Sequence, residues 1–305
     1  MSNTANVLAF DFGASSGRAI RAVYDGQNLT YEEIHRFENV PIEKDGHLCW
    51  DVETLLKEIH TAIQKAGTFD SLGFDTWGVD FGLLDADGHL LANPVHYRDV
   101  RTNGKPEQAA ACMPAEELYA HTGNQIMAIN TLFQLLALRE QDPELLQKVE
   151  QILFMPDLFA ALLGAEPVCE RSIASTSQML DPRTGQWSRE VLTAYSLKEN
   201  HFAPLVASGT VTGTLTTGAK IIAVAGHDTQ CASAAMPCAE EDAEHTAFLS
   251  CGTWSLLGTE LDTPILTADS CQSGLSNELG ANGKINYLKN IIGLWLIQES
   301  RREYK

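Results

Sequence analysis

The chain has 305 residues, 44% of them hydrophobic and 20% charged, with a formal charge of −19 from 21 basic and 40 acidic side chains. Those proportions exclude disordered, fibrous and disulfide-stapled chains, and at ~150 residues per domain the length predicts two domains that can each bury a core. An acidic balance with pI near 4.8 repels nucleic acids and anionic membrane surfaces, so neither is an expected partner. Seven cysteines, odd in number and without a C-x-x-C pair, predict reduced thiols in a cytoplasmic protein rather than a disulfide framework or a zinc site. Residues 1–6 lack a basic n-region and an apolar h-region, and no apolar run approaches the ~20 residues of a membrane span, so neither a secretory signal nor a bilayer segment is expected.

In chain order, Val7 to Gly13 reads as an apolar strand ending in a glycine turn. Two further strands, Arg18 to Tyr24 and Leu29 to Phe37, join at Asp25-Gly26 to complete a meander. Asp51 is an N-cap for a helix over 52–66, whose Val52, Leu55, Leu56, Ile59 and Ile63 follow helical spacing up to a glycine stop at Gly67. A strand pair is predicted next, Ser71 to Trp77 and Val79 to Leu84, the second closed by the Asp85–Gly88 turn. Helices follow at Thr131 to Glu140, from Asp142-Pro143 to about Glu150, and at Pro156 to Leu163.

Between Ser172 and Thr217 the chain is rich in turn-forming residues, with one possible helix at Ser188 to Tyr195. A strand at Ile221 to Ala225 then leads through Gly226-His227-Asp228 into a small-residue helix from Thr229 to Met236. The acidic run Ala239 to Glu244 reads as a linker. Beyond it, Ala247 to Thr253 loosely repeats residues 7–14, an apolar strand delivering a polar residue and a glycine, which suggests two related domains facing a cleft. Leu288 to Gln298 reads as an apolar helix, with Trp295 and the leucines as core and Asn290 and Gln298 as polar positions needing partners.

Five segments could carry chemistry. Asp11 to Arg18, DFGASSGR, combines a strand-end acid, two glycines, two hydroxyls and a cation, the parts of a phosphate cradle with a Mg²⁺ partner in Asp11; it equally reads as a polar β-turn. Phe74 to Phe81, FDTWGVDF, sets two carboxylates about a Trp-Gly corner, either a sugar platform or a tryptophan packed between strands with its acids hydrogen-bonded. Tyr97 to Thr102 is a polar loop that could line the same cleft or lie on the surface. His227-Asp228-Thr229 opens a helix, where the dipole is expected to lower the Asp228 pKa and keep a general base ionised; the alternative is a simple helix cap. Ser250 to Ser255 reads equally as a second phosphate loop or as a hairpin turn.

Taken in order, DFGASSGR, DTWGVDF, YRDVRTNG, MPDLF, GHDT, SCGTWSLLG and LKNIIGLWLIQ resemble the FGGY carbohydrate kinases over about residues 7–298. The resemblance implies an α/β, actin/hexokinase-like ATPase fold of two ribonuclease-H-like domains. The first spans 1–240 and binds sugar, and the second begins at 241–305 and is incomplete. It further implies transfer of the ATP γ-phosphoryl group to the 1-hydroxyl of L-rhamnulose or of another ketose such as L-fuculose, with Mg²⁺ as cofactor. The alternative is a sugar-binding fragment impaired in catalysis. By the same resemblance Asp228 is the base; Ala14, Ser15, Ser16, Gly17, Arg18, Thr253 and Gln298 contact ATP; Gly78, His227, Thr229 and Asn290 contact the sugar; and Asp11 partners Mg²⁺.

Overall fold

The structure is a computed structural model that describes residues 4–239, 242, 245–252 and 254–304, apart from the side chains of Gln298 and Arg302. Strand β1 (Ala5–Phe12) buries Leu8, Phe10 and Phe12 on one face, and the pleat turns Asp11 to the other. It continues through the Gly13–Ser15 turn into β2 (Ser16–Tyr24) and β3 (Leu29–Glu38), the expected antiparallel meander. Helix α1 (Val52–Ala66) starts where Asp51 accepts the Thr54 N–H at 3.1 Å and stops at Gly67, which takes φ +66°. Strand β4 (Ser71–Thr76) then enters the sheet beside β1 and parallel to it.

The next strand departs from the sequence expectation. β5 (Phe81–Leu84) does not pair with β4; after α2 (Thr131–Gln141) and α3 (Pro143–Lys148) it meets β6 (Gln151–Phe154) in an antiparallel ladder of its own. The chain is swung out of the main sheet at Val79, a β-branched residue held at φ +67°. Such a conformation persists only where its surroundings impose it. Here Val79 N–H donates to Thr176 Oγ1 at 3.0 Å and its carbonyl accepts from Thr131 Oγ1 at 2.6 Å.

Helices α4 (Met155–Leu162) and α5 (Arg189–Ala194) lead to the hairpin of β7 (Thr210–Thr214) and β8 (Lys220–Ala223). The main sheet has the order β7-β8-β4-β1-β2-β3, with β8, β4 and β1 parallel and the rest antiparallel. Its inner face is an aromatic stack in which Phe10 lies 4.8 Å from Phe74 and Phe12 lies 4.7 Å from Phe159 of α4. This is a ribonuclease-H-like sheet, and the C-terminal ends of its parallel strands converge on one edge.

From β8 the chain enters α6 (Asp228–Ala234), then a second sheet of β9 (Phe248–Cys251), β10 (Trp254–Leu261), β11 (Ser276–Leu279) and β12 (Ile285–Ile292), ordered β9-β10-β12-β11 and wholly antiparallel. The helix expected over 288–298 is therefore a strand as far as Ile292, because its branched side chains pair along β10; α7 (Trp295–Glu303) begins after Gly293. Leu288 is core, but Leu294, Leu296 and Ile297 are 47%, 57% and 67% exposed, so the expected apolar burial there is not formed. The second sheet is fastened to the first domain where Asn277 N–H donates to Gly123 O at 2.8 Å and Leu279 N–H to Ser175 Oγ at 3.0 Å.

A buried carboxylate fixes the corner that follows β4. Asp80, fully buried, accepts through Oδ2 from Trp50 Nε1 (2.7 Å), Trp77 Nε1 (3.0 Å) and Tyr97 N (3.1 Å), and through Oδ1 from Gln134 Nε2 (2.8 Å). Burial pushes its pKa up to about 6, and these four donors oppose the rise. Asp80→Asn would set an amide N–H against a ring of donors, and the expected loss is about 1–3 kcal/mol, read from urea unfolding at pH 7. Gly17→Ala is expected to cost about 1–3 kcal/mol in the same assay, since a Cβ there would come within 2.3 Å of the Phe37 ring.

Candidate active site

A cleft of about 620 Å³ opens where the parallel strands end, between that edge and the β9–β10 hairpin of the second sheet. Its floor follows from register alone. Asp11 and Asp75 are paired positions on β1 and β4, and Thr76 bridges to His227 just beyond β8, so Asp11, Asp75 and Asp228 come to the ends of three adjacent strands. Ligand crevices form at such an edge because successive connections diverge there.

On one wall is the β1–β2 turn. Gly13 N–H donates to Ser16 O at 2.9 Å, and Asn39 Nδ2 donates to Gly13 O at 2.9 Å, which fastens the loop to the end of β3. Ala14, Ser15, Ser16 and Arg18 border the cleft, whereas Gly17 does not and lies instead beneath the Phe37 ring. Arg18 grips Asp11 through Nε (2.8 Å) and Nη2 (2.5 Å), both on Oδ2. Facing this turn, Ser250, Cys251 and Gly252 form the end of the β9–β10 hairpin. The segment is a hairpin turn and a cleft wall at once. Thr253 lies outside the described residues, as does the Gln298 side chain.

His227 is the residue before α6, and Asp228 is its first residue. The carboxylate accepts from Thr229 N–H at 2.6 Å and from Thr229 Oγ1 at 3.2 Å, so it does act on its own helix end, while 42% of the side chain stays open to the cleft. The helix dipole was expected to lower its pKa, and this is corrected: the enclosing walls raise it above 3.8, with His227 and then Thr229 pulling the other way. Enclosure also raises Asp75 well above 3.8, and the charges of Asp11 and Asp228 add to it. His227 itself is buried, with Nδ1 at 2.8 Å from Glu278 Oε2 and Nε2 at 3.4 Å from Asp228 Oδ1.

The opposite end is lined by Gly78, Thr176, Gln125 and Asn290. A Cβ on Gly78 would sit 3.1 Å from Thr176 Cγ2, so the missing side chain keeps this wall open. Asn290, on strand β12 rather than a helix, donates to Gln125 Oε1 at 3.2 Å and links the second sheet to the loop that carries Gln125. Trp77 borders the cleft but is 6% exposed and packs on Trp50 at 3.9 Å, so the packed-tryptophan alternative holds for its ring. In the loop after it, Tyr97 lines the cleft while Arg98 stands over the rings of Tyr97, Trp254 and Trp295.

Sequence reasoning missed Glu278, Gln125, Thr176 and Trp50. None lies in a glycine-bearing motif, and each gains meaning only from the neighbour that folding supplies. The group of Asp85, Asp87 and His89 could also hold a cation among the described residues, but it is a solvent-facing turn away from the cleft lining.

Residues 6–234 match the model of the N-terminal domain of the FGGY family of carbohydrate kinases. A rhamnulokinase of Bacteroides thetaiotaomicron is 41% identical over 309 residues, a match that covers 97% of this chain and 63% of that protein. Ligand-bound xylulose kinase from Lactobacillus acidophilus superposes with a TM-score of 0.77 at 17% identity over 93% of this chain and 59% of its own. Plasmodium falciparum glycerol kinase with ADP superposes at 0.75 with 16% identity over 97% and 63% respectively. The chain thus spans less than two thirds of each of these three relatives, and the structural likeness carries the actin/hexokinase-like fold. By the domain match over 6–234 and the sheet that underlies it, the chain belongs to the FGGY family of carbohydrate kinases.

Proposed function

We propose that this chain supplies the sugar site and the general base of an ATP-dependent kinase that phosphorylates the 1-hydroxyl of L-rhamnulose in the cytoplasm. One observation carries the reading: a partly open carboxylate, Asp228, shares a cleft with the Gly13–Ser16 turn and with a hydrogen-bonding wall contributed by the second sheet. The 41% identity to a rhamnulokinase supports L-rhamnulose as the ketose, with L-fuculose as the nearest alternative.

In this mechanism the ketose lies against Gly78 and Asn290, and its reacting hydroxyl points at Asp228. As the oxygen attacks the γ-phosphorus, its proton passes to the Asp228 carboxylate, the new O–P bond forms and the bond to the β-phosphate oxygen breaks, releasing ADP. Positioned base catalysis of this kind contributes about 10²–10⁴ in rate. Thr229 holds the carboxylate by its N–H, and His227 Nε2 flanks it at 3.4 Å. Ala14 to Ser16 line the phosphate side, and Arg18 adds positive charge.

Asp11 fits a Mg²⁺ ion by donor chemistry: it is a hard oxygen ligand at the cleft edge, and Arg18 occupies only Oδ2. When bound there, the ion would neutralise phosphate charge as the γ-phosphoryl group transfers.

Asp228→Asn is expected to retain sugar binding in calorimetry and to lose about 10²-fold or more in turnover, measured as ADP release; near-parent turnover removes the base assignment. Because burial raises the Asp228 pKa, turnover should fall on acidification at a pH above 3.8, where the base takes up its proton. A ketose panel in the same ADP assay is expected to favour L-rhamnulose. Sugar binding without ADP release from any ketose instead establishes the fragment reading.

A further inference from the structure

Glu278 comes from the second sheet, on β11, yet its carboxylate ends beside the histidine of the G-H-D-T segment. With its side chain only 6% exposed, Oε2 accepts from His227 Nδ1 at 2.8 Å and from Gln230 Nε2 at 2.8 Å. Gln230 is itself oriented: Asn286 of β12 donates through Nδ2 to Gln230 Oε1 and, at 2.9 Å, to Ser233 Oγ. The amide therefore presents N–H to Glu278 and oxygen to Asn286. On the far side of the ring, His227 Nε2 stands 3.4 Å from Asp228 Oδ1. The imidazole is thus held between a buried carboxylate of the second sheet and the partly open carboxylate at the start of α6.

We propose that Glu278 is a positioning residue for the base: by accepting a hydrogen bond from Nδ1–H it fixes the His227 ring so that Nε2–H faces Asp228, and it makes the placement of the base depend on the second sheet. This rests on the kinase reading for its catalytic meaning and on hydrogen-bond geometry for its structural content. An imidazole whose one nitrogen is held by a carboxylate has the orientation of its other nitrogen set as well. The charged groups facing the ring are Glu278 from β11, Asp228 from α6 and Asp75 from β4. Burial alone would lower its pKa; Glu278 foremost, then Asp228 and Asp75, overcome that and raise it to about 9. The raised pKa favours the protonated ring, and the positive charge it then carries opposes the rise in the Asp228 pKa.

The test reads imidazole ¹⁵N resonances of the 305-residue chain from pH 5 to 10, with His227→Asn identifying the signal. The parent is expected to show this ring titrating near 9 with a protected Nδ1 proton, and Glu278→Gln to bring it to about 6.5 or below and expose that proton. A parent ring that titrates at about 6.5 or below, or one that Glu278→Gln leaves unmoved, overturns the proposal. The parent measurement alone decides the matter should the variant fail to fold. No nucleotide or sugar is present, so the result is independent of whether the chain turns over. With L-rhamnulose and ATP, Glu278→Gln is expected to lower kcat about tenfold with little change in sugar KM, as loss of a positioning partner does; a loss confined to KM overturns the positioning role.

Discussion

Parallel pairing of three strands is the constraint on which the site depends. In a parallel ladder, residues in register come to the same height, so once β1 and β4 align Asp11 with Asp75 the two acids share an edge, and β8 brings Asp228 to it. Burial raises the pKa values of Asp75 and Asp228 above the usual carboxylate range, and the like charges gathered on this edge add to the rise. The fold answers with cations at both flanks: Arg18 on Asp11, and His227 beside Asp228. An anionic floor of this kind suits a reaction that needs a proton acceptor and an Mg²⁺ site within one crevice.

Two further devices keep that floor in place. Asp80 gathers the indoles of Trp50 and Trp77, the Tyr97 backbone and Gln134, tying four separate segments behind the cleft. Glu170 does the same from below, accepting from Ser172 N, Ile173 N and the N–H of Gly226, the residue immediately before His227. Fully satisfied buried carboxylates of this sort are costly to break and hold backbone to narrow positions.

Much of this was legible from local pattern. The meander, α1 with its Asp51 cap and Gly67 stop, and the strand-to-helix step at His227-Asp228 follow from periodicity and capping chemistry, and the structure has them close to the expected bounds. The partner of β5 was not legible, because the strained Val79 corner that diverts it is held by Thr131 and Thr176, distant in sequence. Leu288 to Ile292 misled because apolar residues at mixed spacing suit a helix until β10 and β11 offer strand ladders. Trp77 shows the same limit. A tryptophan next to two acids reads as a sugar platform until Trp50 is found against its face. Glu278 carries no local signature at all, since its chemistry consists of a histidine fifty-one positions away.

The hairpin wall opposite the β1–β2 turn holds an exposed thiol, Cys251, whereas Cys49 and Cys169 are buried. Of the remaining cysteines only Cys112 and Cys238 are exposed, and neither lies along the crevice. Replacing those two would leave Cys251 as the most accessible sulfur, a natural attachment point for an environment-sensitive dye. Its emission would then follow water leaving the crevice as small molecules enter, giving an optical view of occupancy that needs no chemical turnover.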